Sequence, residues 1–325
     1  MNETPLSAEL LRLDCVREAE RIEGLIRETV LRRFKKKGVV VGLSGGVDSS
    51  TVAALAVRAL GRERVLGLMM PEQDSSPETL RLSQQVAAHL GMETVQKDIS
   101  GILEAVGCYR RQAEAIQAVI AEYGPGWKSK LVLPSVIKGD QLRIFSIVAE
   151  SPSGERREKR LPLETYLSLV AATNFKQRAR KMLEYYHADR LNYAVTGTPN
   201  LLEYDQGFFV KLGDGAADIK PIAHLYKTQV YQMGEFLGVP QEILSRPPTT
   251  DTYSMPQSQE EFYFSLPYNK MDLVLYGKDR GYNAAEIGGA VGLTAEQVGR
   301  VFRDIEGKRR MARYLHAQAA ILGDF

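Results

Sequence analysis

Residues 39–41 are three successive valines. The next eight, Gly42-Leu43-Ser44-Gly45-Gly46-Val47-Asp48-Ser49, turn at once into a helical repeat with Val52, Leu55, Ala56 and Ala59 on one face. A buried strand that ends in glycines and enters a helix without pause restricts the fold to one built from strand–loop–helix units. Gly45 and Gly46 reach backbone angles closed to other residues, and bare main chain lets a ligand approach closely. The helix that follows has unpaired N–H groups and partial positive charge in its first turn. Together these make an anion site, above all for phosphate. The hydroxyls of Ser44, Ser49 and Ser50 add donors. Asp48, expected on a surface-facing loop, would repel a phosphate unless a cation lies between them, which points to Mg²⁺. No lysine of a Walker A loop is present, and the Rossmann G-x-G-x-x-G spacing is absent. The simpler alternative is an ordinary turn with Ser44 as helix cap, for which one glycine would suffice.

The pattern around the loop repeats. Residues 8–35 read as an amphipathic helix, 39–43 as a strand and 47–60 as a helix. Residues 64–70 read as a strand, 77–90 as a helix closed by Gly91, 93–99 as a strand and 101–122 as a helix. Further on, 173–190 is helical and 191–198 a strand. This alternation predicts an α/β fold, a doubly wound parallel sheet with helices on both faces. Ligands of such sheets bind at the carboxyl ends of the strands, near a switch in strand order. The glycine loop, "PEQDSS" (71–76) and "GTPN" (197–200) all follow strands and should meet at one edge. Residues 131–164 interrupt the alternation and read as an inserted β-hairpin with a Ser-Pro-Ser-Gly turn. Residues 276–325 read as a helical C-terminal extension of one domain spanning 1–325. Within it, 283–312 has the outline of a helix-turn-helix. Its second helix offers a DNA groove only Glu296, Gln297 and Arg300, a thin reading set.

Composition narrows the function. A formal charge of +2 on 325 residues gives no support for broad nucleic-acid or membrane binding. No run is long or apolar enough to span a bilayer, and the N-terminus lacks the order of a signal peptide. Two cysteines, Cys15 and Cys108, without a CxxC, argue against zinc or a disulfide framework and fit a reducing cytoplasm.

Residues 195–240 crowd glycines, aromatics and charges together, as a polar site on a loop does. The first loop resembles the S-G-G-x-D-S loop of the ATP pyrophosphatases. The order continues with N-x-x-x-R-x-R (174–180), G-T-x-N-x-x-E, G-[YF]-F-x-K-x-G-D-G-x-A-D, L-x-K-x-x-V and P-P-[ST]. Over residues 38–275 it resembles the ammonia-dependent NAD synthetases. That family has the adenine nucleotide alpha-hydrolase-like version of the fold. It uses ATP to adenylate the carboxylate of deamido-NAD, releases pyrophosphate, and lets ammonia displace AMP. The resemblance implies that Gly42, Leu43, Ser44, Gly45, Gly46, Val47, Asp48 and Ser49 hold the ATP phosphates. Thr198 and Thr249 would contact ATP, and Asp48 and Glu203 would bind Mg²⁺. Lys227 would neutralise charge as pyrophosphate departs, acting with Asp48 in catalysis. Asn174, Arg178, Lys211, Asp214, Asp218 and Lys308 would hold deamido-NAD. The resemblance also implies a homodimer. With about 40 residues before the loop and no glutaminase domain, it implies free ammonia or ammonia from a separate protein.

The chain departs from the family where Gly307 stands in place of a histidine ahead of Lys308, and in the run Gln257-Ser258-Gln259-Glu260-Glu261. These leave the ATP chemistry intact and bear on the acceptor. Two other readings stand beside the synthetase: a related ATP pyrophosphatase that amidates another carboxylate, and a nucleotide-binding module without catalysis.

Overall fold

A computed structural model describes residues 4–136, 145–249, 252–264 and 266–322. Its centre is a four-stranded parallel sheet in the order β3-β2-β1-β7, formed by β1 (Val39–Gly42), β2 (Val65–Met69), β3 (Glu93–Gln96) and β7 (Ala194–Thr196). The three valines of β1 are fully buried, as a strand covered on both faces requires. The chain winds outward from β1 through β2 to β3, then returns to β1's other side with β7. The switch in strand order therefore lies between β1 and β7, beside the glycine loop. The doubly wound α/β arrangement expected from the sequence is the one observed.

Helices α2 (Val47–Leu60) and α3 (Pro77–Leu90) follow β1 and β2, and Gly91 closes α3 in the left-handed conformation. The expected 8–35 helix is three pieces: a 3₁₀ turn at Ala8–Leu11, α1 (Cys15–Arg27) and a π-helical turn at Glu28–Arg33. Asp14 separates the first two, its carboxylate accepting the Arg17 N–H at 3.2 Å as an N-cap. The expected 101–122 helix is two, α4 (Ser100–Ala105) and α5 (Cys108–Gln117), because Gly107 between them has φ +70°. The third strand ends at Gln96, and β7 occupies only three residues of the expected 191–198.

The interruption is larger than a hairpin. β5 (Ser146–Glu150) and β6 (Arg156–Arg160) pair across residues 151–155, and β4 (Lys128–Val132) pairs with β5, giving a three-stranded antiparallel sheet. Residues 137–144 of the expected insertion lie outside the described residues. α6 (Leu163–Leu191) begins ten residues before its expected start and runs from this small sheet to β7.

The C-terminal half adds α7 (Leu201–Gln206), α8 (Lys227–Phe236), α9 (Gln241–Ser245), α10 (Tyr268–Asp279), α11 (Ala284–Val291) and α12 (Ala295–His316). Asn283 and Thr294 cap α11 and α12 with capping boxes. Ile287, Val291, Val298, Val301 and Ile305 bury one face of that pair in a core shared with α10 and Leu202 of α7. The helix-turn-helix outline is thus part of a packed core.

α10 also carries a buried charge. Asp272 is fully buried, and its carboxylate accepts the Thr228 N–H at 2.7 Å in the first turn of α8. Burial is the main cause that pushes Asp272 up to about 6 from the ordinary 3.8. The native protein therefore holds this proton where the unfolded chain has lost it, and stability falls as pH rises from about 4 to about 6. A shift of about two units corresponds to roughly 3 kcal/mol. Asp272→Asn should keep the cap and lose the slope. Denaturant midpoints taken from pH 4 to 7 should show the variant gaining on the wild type up to about pH 6, then running parallel; a constant difference would refute the assignment.

Candidate active site

The glycine loop is held from beneath. Leu43 N–H donates to the Leu68 carbonyl at 2.8 Å, and the Ser83 hydroxyl to the Leu43 carbonyl at 3.3 Å. Gly45 has φ +65°, and a Cβ there would sit 2.7 Å from the Thr79 carbonyl oxygen, so the turn admits only glycine. The residue that caps α2 is Gly46, not Ser44, and no side chain caps that helix. Ser49 and Ser50 turn back to the Gly46 carbonyl at 3.1 and 2.8 Å, and Ser44 meets Ser49 at 3.1 Å. The first turn of α2 faces a cavity of about 420 Å³ lined by Gly42, Leu43, Ser44, Gly46, Val47, Asp48 and Ser49.

Two later segments bring charge to this turn. Lys227, the first residue of α8, is fully buried and donates its ammonium to the Asp48 carboxylate. Asn200 caps α7, accepting the Glu203 N–H at 3.2 Å and receiving the Glu203 carboxylate on its own N–H at 3.1 Å. Its side-chain amide donates to the other Asp48 oxygen at 3.2 Å. Asp48, Glu203 and Lys227 therefore form one cluster at the carboxyl ends of β1 and β7, with Asn200 as its bridge. Burial first, then the charge of Asp48, push Glu203 up to about 8, against the pull of Lys227. Burial works against the Lys227 ammonium, yet Asp48 and Glu203 outweigh it and hold its pKa above the ordinary lysine value.

Helix α6 forms the opposite wall. Val170, Asn174, Gln177, Lys181 and Glu184 repeat at helical spacing along the cavity, joined by Arg180. Lys181 and Glu184 pair at 2.5 Å and are both buried; burial raises the Glu184 carboxyl despite that partner. Glu184 lies against Gly42, where a Cβ would meet its Oε1 at 2.9 Å. The ammonium of Lys176, also fully buried, joins Glu72 at 3.0 Å, Asp74 at 2.6 Å and the Thr252 carbonyl at 2.9 Å. It ties the "PEQDSS" loop to the segment after Thr249.

Of the residues expected to meet substrates, Asn174, Thr198, Asp214 and Thr249 line the same cavity as the glycine loop, Glu203 and Lys227. Burial raises Asp214, whose carboxylate accepts the Val210 N–H at 2.7 Å. Four others do not line it. Arg178 is exposed, roughly 80° round α6 from the cavity stripe, and donates to the Lys211 carbonyl at 3.4 Å. The Lys211 ammonium turns to the end of α12, donating to the carbonyls of Tyr314 at 2.8 Å and Ala317 at 3.0 Å, a helix C-terminal position that favours a cation. Asp218 secures β7, accepting the Val195 N–H at 2.7 Å and the Tyr185 hydroxyl at 3.2 Å. Lys308 is buried beneath the aromatic turn Glu260–Phe264, donating to the Tyr263 carbonyl at 2.6 Å and pairing with Asp304 at 2.8 Å. A Cβ at Gly307 would meet only Arg310, at 3.8 Å, so a side chain fits there.

Sequence reasoning left Asn200, Arg180, Lys181, Glu184 and Lys176 without roles. The Asn-x-x-Glu capping box was a readable signal for Asn200. Arg180 stands in the N-x-x-x-R-x-R run beside Arg178, whereas Lys176, Lys181 and Glu184 carried no signal, since polar residues occur all round that helix. Among the described residues no cluster of three or more His, Cys, Asp or Glu side chains forms a ready-made metal cage.

The buried pair makes a stability prediction. Asp48 is largely buried, with 16% of its side chain exposed, and is Lys227's counter-charge rather than a residue of a surface-facing loop. Asp48→Asn should destabilise the nucleotide-free protein by about 3 kcal/mol, because it strands a buried ammonium. Adding Lys227→Met should restore most of that loss. Equilibrium unfolding of the two single variants and the double variant checks it; additive effects would show that the pair is uncoupled.

Comparison with known proteins agrees with this geometry. The NAD synthase family pattern matches residues 18–122 and 134–312. An NH₃-dependent NAD⁺ synthetase from Mesorhizobium japonicum is 58% identical over 95% of this chain and 97% of its own length. Among solved structures, an NMN synthetase from Francisella tularensis superposes with a TM-score of 0.66 at 22% identity, covering 97% of this chain and 100% of its own. An NH₃-dependent NAD synthetase from Campylobacter jejuni does so with 0.63 at 22%, covering 96% and 100%. At that identity the solved structures speak for the fold alone; the family pattern and the 58% relative go further, and the chain belongs to the NAD synthase family.

Proposed function

We propose that the protein is an ammonia-dependent NAD synthetase, a carbon–nitrogen ligase that amidates deamido-NAD to NAD with ATP. The observation that carries this is the uncapped first turn of α2 opening beside the Asp48–Lys227–Glu203 cluster, in a chain 58% identical to a relative of that name. The backbone N–H groups of that turn and the Ser44 and Ser49 hydroxyls would hold the β- and γ-phosphates of ATP. The nicotinate carboxylate attacks the α-phosphorus, pyrophosphate leaves, and an acyl adenylate forms. Ammonia then attacks the acyl carbon and AMP departs. No covalent enzyme intermediate is needed; alignment and charge stabilisation suffice. Lys227, raised above its ordinary pKa and aimed at the loop, meets the charge that grows on pyrophosphate.

Two hard carboxylates, Asp48 and Glu203, both bonded to Asn200 beside the glycine loop, suit Mg²⁺, which takes one or two such ligands together with phosphate oxygens and water. We assign Asp48 and Glu203 to hold that ion, which would supply positive charge against the phosphates. Thr198 and Thr249 we place on ATP, and Asn174 and Asp214 on the acceptor. Arg180, which lines the cavity, is our choice for the guanidinium that meets the dinucleotide. Arg178, Lys211, Asp218 and Lys308 would act from behind the cavity walls. We further propose a homodimer, on the resemblance to the family, and a cytoplasmic location, which the free thiols Cys15 and Cys108 suit.

With ATP, Mg²⁺ and deamido-NAD, ammonium should yield NAD with equal amounts of AMP and pyrophosphate, and glutamine alone should yield none. Product analysis decides it, and pyrophosphate release with another acid but never with deamido-NAD would leave only the adenylation chemistry standing. Lys227→Met should lower kcat by about a hundredfold or more with any acceptor. Arg180→Ala should raise the KM for deamido-NAD by about tenfold or more, and Arg178→Ala should move it little; the reverse order in steady-state kinetics would return the contact to Arg178.

A further inference from the structure

Helix α6 buries an ammonium that the cluster at the glycine loop does not use. Lys176 is fully buried, and its N–H groups meet three oxygens: Glu72 at 3.0 Å, Asp74 at 2.6 Å and the Thr252 carbonyl at 2.9 Å. The Glu72 side chain is itself without exposure to water. Its other oxygen accepts the Tyr109 hydroxyl of α5 at 2.8 Å and the Asp74 N–H at 3.1 Å. Glu72 N–H donates to the Ser75 hydroxyl at 3.1 Å, and Ser75 N–H to the Glu72 carbonyl at 2.9 Å. The loop after β2 is folded round its own acidic residues and fixed to α5 and α6.

The third oxygen belongs to a distant segment. Ahead of Thr252 stand Arg246, Pro247, Pro248 and Thr249, and all four line the cavity. Pro71 and Ser75 line it from the loop after β2, and Thr79 from the first turn of α3. The Arg246 guanidinium donates to the Thr79 hydroxyl at 2.9 Å. Two ties therefore join these segments, one at Arg246 and one at Thr252, with Thr249 between them. Thr79 lies against the glycine loop, since a Cβ at Gly45 would sit 2.7 Å from its carbonyl oxygen. The tied rim borders the end of the cavity that the glycine loop forms.

An apolar side chain of the same volume would pack at Lys176 without the desolvation penalty of a buried charge. A fully satisfied buried ion instead fixes one arrangement of the groups around it. We propose that Lys176 is a positioning residue for ATP: its ammonium holds the Thr249 segment against the loop after β2 and so sets the width of the nucleotide end of the cavity. This rests on the function proposed above, in which Thr249 meets ATP. Lys176 does not itself line the cavity, so it acts through Thr249 and not on the nucleotide.

Variants of the full-length protein separate this role from packing. Lys176→Met strands two largely buried carboxylates and should lower the unfolding midpoint of the nucleotide-free protein. Adding Glu72→Gln and Asp74→Asn removes the charges together and should return the midpoint most of the way to wild type. The triple variant still has no donor for the Thr252 carbonyl. Its KM for ATP should stay raised about tenfold, the loss of one charge-assisted bond, while kcat at saturating ATP stays within about threefold. The Kd for ATP, read from the ATP-dependent rise in Tm with no acceptor present, should shift by the same factor as KM. Recovered stability with a wild-type KM and Kd for ATP overturns the proposal, and so does a fall in kcat with KM unchanged. If the triple variant stays destabilised or fails to fold, Asp74→Ala carries the test, because that carboxylate is 18% exposed and the ammonium keeps Glu72 and Thr252. Its KM for ATP should rise about threefold, and a wild-type value there overturns the proposal. Wild-type protein that binds ATP yet forms no AMP with deamido-NAD and ammonium fails the proposed function instead, and the Kd comparison still decides the role of Lys176.

Discussion

The arrangement of the site depends on one buried ion pair. Lys227 places a full positive charge at the N-terminus of α8, where the helix dipole opposes it, and does so with no exposure to water. The position is tenable because Asp48 meets it directly and Glu203 lies close enough to raise its pKa. That contact joins the first turn of α2 to the first turn of α8, and Asn200 ties in the first turn of α7. Three helix N-termini converge on one small volume. Lys227 balances the Asp48 carboxylate within it, while burial pushes the Glu203 carboxyl toward its neutral form.

Helix α6 solves a related problem over a greater length. It carries Lys176, Lys181 and Glu184 into the interior, and each finds an opposite charge. Its stripe toward the cavity is polar, and its remaining faces pack against both the central and the small sheet. A helix of this kind is poorly described by one apolar face, and it fixes the distance between the two ends of the cavity.

Much of this was legible in the sequence for identifiable reasons. The valine run followed by paired glycines specifies a buried strand entering a helix, and the alternation after it specifies a parallel sheet. Glu203 and Lys227 were readable as chemistry through the G-T-x-N-x-x-E and L-x-K-x-x-V runs and the family resemblance those runs carry. Orientation was not readable. Asp214 lines the cavity while Lys211, three residues earlier, faces the end of α12. Between them Leu212 takes a positive φ of 61°, which no residue pattern announces. Arg178 and Arg180 differ by two positions and by about 200° round a helix, so only the packing of α6 decides which one enters. The break at Gly107 escaped notice because a lone glycine in a helical pattern is often tolerated.

The sheet order also sets when the site can exist. β1 pairs with β2 about 25 residues later, but its other neighbour, β7, comes from residue 194. The glycine loop can form on a nascent chain long before Glu203 and Lys227 have been made. During that interval Asp48 has no counter-charge, and β1 exposes one edge lined with unpaired peptide groups. Contacts of such sequence separation form slowly, and an open parallel edge of valines is a surface other chains can add to. The sheet closes with β7 before the cluster is complete, because Lys227 follows on α8 about 30 residues later, so a chain stalled before residue 194 would have neither and would be both inactive and prone to aggregate.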